Sequence, residues 1–180
     1  MTRLLALLLL LAPSAFAQAA DPAAAVGAFY GVYQGQGHGG IPDATGRLRW
    51  SAVLSPRLNK QLSDAAASQA RLAAHIKAGG PKAAVMPGLE GDIFTALFDG
   101  ATSWKVGACS GDAKAQRCSV ALAHAAARAG DKPYSWTDTL AVVNTPAGWK
   151  VDDVAYDPDF AFGNTGRLST TLQMVISLNP

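Results

Sequence analysis

Residues 136–156 read WTDTLAVVNTPAGWKVDDVAY. The run from Trp136 to Asn144 is strand-like, and Thr145-Pro146-Ala147-Gly148 has the chemistry of a turn. GWKVDDVAY, residues 148–156, then reads as the next strand of an antiparallel meander. Within it, Trp149 and Val151 share one face, whereas Val154 and Tyr156 share the opposite parity. Side chains alternate along a strand, so a regular strand cannot aim all four at one core. One extra residue restores the register, which is a β-bulge. Asp152 and Asp153 sit at the switch. The expectation is a bulge or bend there, with at least one aspartate turned to a backbone or arginine partner. Arg167 is the candidate arginine.

Working upstream, Ser103 to Cys109 and Arg117 to Ala126 read as a hairpin around the Gly111-Asp112 turn signal. In its second arm Cys118, Val120, Leu122 and His124 share one parity; Ser119, Ala121, Ala123 and Ala125 share the other. Cys109 and Cys118 are the two cysteines of the chain. A metal pair or free thiols are alternatives, but zinc asks for four ligands and no histidine pair lies near. A disulfide across the hairpin is the preferred reading.

Before the strands the period is helical. Asp21-Pro22 starts a helix in which Val26, Phe29, Tyr30 and Tyr33 recur three or four apart, and the glycines from Gly35 to Gly40 end it. A short helix follows. Ser55-Pro56 then starts a longer one, with Leu58, Leu62, Ala65, Gln69, Leu72 and Ile76 on one face and Gly79-Gly80-Pro81 as its stop. Leu168, Leu172, Val175 and Ile176 define a closing helix after the turn-like Gly163-Asn164-Thr165-Gly166. Helices first, a meander next and a helix last predict an α+β domain with helices on one face of the sheet.

The chain opens MTRLLALLLLLAPSAFAQAA. Arg3, the apolar run Leu4–Ala12 and the triplet Ala15-Phe16-Ala17 form a secretory signal, with cleavage expected after Ala17. The apolar run falls short of the roughly 20 residues a membrane span needs. Residues 18–180 are then one domain, expected in the periplasm or secreted, with no membrane span after signal removal. The net charge is +2 and no stripe of Lys or Arg occurs, which disfavours nucleic acid.

Catalytic patterns are sparse. There is no G-x-S-x-G elbow. His38, His75 and His124 lack H-E-x-x-H spacing, so no metal is expected, and no cofactor motif stands in the right context. Asp157-Pro158-Asp159 reads as a turn rather than a calcium loop. Adjacent strand aspartates normally face opposite sides, so a structural role for Asp152 and Asp153 is preferred to catalysis. The aromatics Phe94, Phe98, Trp104, Trp136, Trp149, Tyr156, Phe160 and Phe162 read first as core.

Four segments together resemble a family of small secreted bacterial proteins known as a domain of unknown function: AVGAFYGVY (25–33), GDIFTALFDGATSWKVG (91–107), WTDTLAVVNTPAGWKVDDVAY (136–156) and FGNTGRLSTTL (162–172). The family is similar to the nuclear transport factor two-like superfamily. The resemblance implies N-terminal helices wrapped in a curved, cone-like antiparallel sheet. The superfamily hosts isomerases, dehydratases, carriers and interaction modules, so the fold leaves function open. Members similar to ketosteroid isomerase need an Asp base and acidic donors in an apolar cone. Tyr30, Tyr33, Asp92, Asp99, His124, Asp138, Asp152 and Asp153 are the possible donors here.

The leading expectation is a non-enzymatic binding module for a small apolar ligand or a protein partner, using the concave face of the sheet. Tyr30, Tyr33, Phe94, Trp104 and Trp136 would contact the ligand. One alternative is a cone-pocket isomerase or hydrolase with Asp152, Asp153 or Asp138 as base. Another is a toxin-neutralising or envelope-stress interaction protein. A hollow cone would favour the ligand or enzyme; a solid core with tethered aspartates would favour surface partners.

Overall fold

Asp21 opens helix α1 (Pro22–Gln34) by accepting the Ala24 N–H at 2.7 Å, and the proline fits the first turn. Asp43 does the same for α2 (Ala44–Ser51), accepting from Gly46 N–H at 2.7 Å. Ser55 caps α3 (Pro56–Lys77) by accepting from Leu58 N–H at 3.1 Å. The structure is a computed structural model that describes residues 21–37, 39–79, 91–126, 128, 132–161 and 163–178. The leader assigned to residues 1–17, His38, the helix stop at Gly80-Pro81 and Phe162 lie outside the described residues.

The stripe on α1 is buried as its spacing predicts: Val26, Phe29, Tyr30 and Tyr33 are all in the core. On α3, Leu58, Leu62 and Ala65 are buried, but Gln69, Leu72 and Ile76 farther along the same face are half-buried. The buried Ser68 hydroxyl donates to the Val175 carbonyl at 3.1 Å and ties α3 to the closing helix α4 (Leu168–Leu178).

Four strands, β1 (Ser103–Gly111), β2 (Ala115–His124), β3 (Tyr134–Thr145) and β4 (Gly148–Ala155), form an antiparallel sheet in the order β1-β2-β3-β4. The domain is α+β. The β2 ladder stops at His124, two residues short of the expected Ala126, and β1 runs on to Gly111. Cys109 lies directly across from Cys118 and the two are bonded, with S–S 2.01 Å. A bulge between Val106 and Cys109 was not legible in the sequence. Gly107 sits in it, where a Cβ would lie 2.5 Å from the Ser119 hydroxyl, so no side chain fits without a shift.

The expected bulge in β4 is present. Ala141 faces Asp153 while Val142 faces Val151, which leaves Asp152 as the extra residue. Trp149 and Val151 before the switch, and Val154 and Tyr156 after it, are therefore all buried. Against them, and against Val120, Leu122, Leu140 and Val142 of the neighbouring strands, pack the aromatic rings of the helical side. Trp50 stacks on Phe94 at 4.0 Å between ring centres, Phe29 lies 4.9 Å from Trp50, and Tyr30 stacks on Trp104 at 5.3 Å.

Candidate functional site

The two adjacent aspartates serve two different helices. Asp152 accepts from Arg57 Nη2 at 2.8 Å and from Arg57 Nε at 3.1 Å, and also from the Ser55 hydroxyl. Arg57 further donates to the Asp152 carbonyl. Ser55 is the cap of α3, so Asp152 orients the start of that helix. Asp153 accepts the Ser169 N–H and the Val154 N–H, both at 3.0 Å, and the Ser169 hydroxyl at 2.7 Å. Ser169 lies in the first turn of α4, where a carboxylate complements the exposed N–H groups and the dipole. Arg167 adds an ion pair to Asp153 at 3.5 Å, as its position in the sequence suggested.

Asp138 is fully buried on the helical side of β3. Its carboxylate accepts from Ala96 N–H (3.0 Å), Trp136 Nε1–H (3.1 Å) and Asp157 N–H (2.9 Å). Burial pushes its pKa up to about 6, and those three donors limit the rise. A second buried carboxylate, Asp92, accepts from Phe94 N–H (2.8 Å), the Thr95 hydroxyl (2.6 Å) and the Tyr33 hydroxyl (2.7 Å). Tyr33 in turn accepts the Ala101 N–H at 2.7 Å, and burial beside Asp92 raises its pKa. Asn164 donates to the carbonyls of Asp92 (2.7 Å) and Thr95 (2.8 Å). This network fastens the segment 91–102 and the stretches around Asp157 and Asn164 to the sheet.

The aromatic candidates are brought together inside the protein. Tyr30, Tyr33, Phe94 and Trp136 are buried, and Trp104 is half-buried. The Tyr30 hydroxyl is buried without a hydrogen-bond partner among the described residues. Burial, and next the nearby charge of Asp138, hold its pKa well above the ordinary phenol value. His124 contacts the Gly100 carbonyl through Nδ1 at 2.7 Å, and Asp99 is exposed.

The opposite face of the sheet carries an open groove of about 470 Å³. Its geometry follows from the register. Trp104, Leu122 and Trp136 stand side by side across β1, β2 and β3, with side chains toward the helices. On the solvent side this row is the floor. Ser103, Ala123 and Ser135 form one wall; Lys105, Ala121 and Thr137 form the other. Apart from Lys105, the side chains on both walls are small and leave the floor accessible. The small parity of β2 was visible in the sequence, but its alignment with Ser103 and Ser135 required the register.

Among the described residues, no cluster of three or more His, Cys, Asp or Glu is placed to hold a metal, and no helix is long and apolar enough to cross a membrane. No protein-family model, no curated protein and no solved structure matches the chain.

Proposed function

We propose that the protein is an exported interaction module that binds a protein partner through the solvent face of its sheet. The observation that carries this reading is the contrast in filling. The helical side of the sheet is packed with buried rings, while the groove opens on the other side. The signal-like leader and the Cys109–Cys118 bridge support an oxidising compartment, periplasmic or beyond. The curved, cone-like wrapping of the nuclear transport factor two-like superfamily is part of the proposal, supported by three helices preceding a bulged four-stranded meander.

The test is photocrosslinking in cells that make and export the protein. A photoreactive side chain at Thr137 should give one discrete adduct, and the same group at Gln173, exposed on α4, should give none. Equal capture at both positions, or none at Thr137, would set the reading aside.

A second reading has its own observation: Asp138, whose pKa burial pushes up to about 6, and the Tyr30 hydroxyl, unpartnered among the described residues, share the interior. In this reading Asp138 is the base of a small isomerase or hydrolase, reached past the half-buried Trp104. Solvent exchange of the Trp136 indole N–H, which binds Asp138, tests it. Exchange far faster than global unfolding supports access; exchange only through unfolding removes it.

A further inference from the structure

We propose that the groove and the strand surface beside it take an acidic polypeptide segment of the partner, held by Lys105 and Arg117. This rests on the docking reading above and adds the chemistry of what docks. Several cations elsewhere in the fold are engaged. Arg57 pairs with Asp152 at 2.8 Å, Lys60 with Asp64 at 2.5 Å and Arg167 with Asp153 at 3.5 Å. Arg47 donates to the Pro42 carbonyl at 2.8 Å, and Lys150 to the Ala52 carbonyl at 2.5 Å. Lys105 and Arg117 are exposed on the solvent face and make no ion pair or side-chain hydrogen bond among the described residues.

No acidic residue occupies the solvent-facing parity of β1, β2 or β3. Asp153 lies in the cross-strand row of Arg117, beyond Ala141, and is paired with Arg167, while Asp112 and Asp157 flank the face. Asp112 accepts the Lys114 and Ala115 N–H groups in the hairpin turn, which hold its pKa down. Asp157 accepts the Thr137 N–H at 2.8 Å and the Asp159 N–H at 3.0 Å. The charged side chains that β1, β2 and β3 themselves turn to solvent are therefore all cationic. Lys105 stands on the groove wall opposite Ala121, and Arg117 lies four residues from Ala121 along β2, about 13 Å away. That spacing suits carboxylates distributed along an extended chain. Ala121 and Ala123 let a backbone approach, and the Ser103, Ser135 and Thr137 hydroxyls can bond to it. A second copy fits poorly, because an isologous pairing would bring Lys105 and Arg117 toward their own counterparts with no carboxylate to meet them.

The experiment is an NMR titration of the isotope-labelled secreted chain with poly-L-glutamate, and in parallel with a sulfated polysaccharide. Poly-L-glutamate should shift the amides of residues 103–105, 121–123 and 135–137. The K105E/R117E variant should weaken binding by about tenfold, and K60E should leave it unchanged. Shifts centred elsewhere, or equal affinity in K105E/R117E, would overturn the proposal. Tighter binding of the polysaccharide at the same amides would overturn the polypeptide assignment. A Thr137 photoadduct that survives K105E/R117E would keep the docking face and remove its acidic partner.

Discussion

The same strands build two faces by opposite rules. Toward the helices, β2 and β3 present Cys118, Val120, Leu122, Trp136, Asp138, Leu140 and Val142, all buried. Toward solvent they present Ser119, Ala121, Ala123, Ser135, Thr137 and Thr139. The first face obtains its shape from close packing, where each ring has neighbours on every side. The second has little to pack and keeps its shape because the first is rigid. Polar groups also differ. Asp92, Asp138 and Asp153 inside are saturated with donors, while the side chains of Lys105 and Arg117 outside make no ion pair or hydrogen bond among the described residues. Stability should therefore reside on one face and recognition on the other.

Removing a ring from the helical face tests this most severely. Phe94→Ala should destabilise by about 3–5 kcal/mol in urea unfolding, because Trp50 loses a stacked neighbour, Phe29 an edge-on one, and a cavity remains. A loss below about 1 kcal/mol would mean that this face is not tightly packed. Asp153→Ala comes next, at about 3 kcal/mol, because it strips the start of α4 of its acceptor and leaves Arg167 without its partner. Hydrogen exchange should show α4 loosening first.

Asp138 sharpens the comparison through pH. Its folded pKa is about 6 against an ordinary 3.8, so between these values the folded state binds more protons than the unfolded one. Stability should rise as pH falls from 7.5 toward 4, by up to about 2–3 kcal/mol from this group. Asp138→Asn should flatten that slope, and an unchanged slope would assign it to other groups. The smallest effect belongs to the solvent face: Thr137→Ala should change stability by less than about 0.5 kcal/mol. A larger loss would break the division between the faces.

Much of this arrangement was legible before folding. The parity conflict in GWKVDDVAY called for an extra residue, and Asp152 is that residue. The periodicities of α1 and α3 located their buried stripes, and two cysteines flanking a turn located the bridge. The bulge at Gly107 was not legible, because the contact that leaves no room for a side chain there comes from Ser119 on the neighbouring strand. The partners of Asp152 were missed for a similar reason. Ser55 and Arg57 lie 97 and 95 residues away in sequence, and no local pattern encodes such a meeting.

Alternation, capping residues and turn chemistry act within a few residues, so the sequence by itself determined the elements, their buried faces and the need for a bulge. Tertiary structure alone decided which side each carboxylate serves, which rings stack, and that three short rows of unremarkable residues align into a groove. Those outcomes depend on register and on contacts between distant segments, and both are selected by the packing of the whole core.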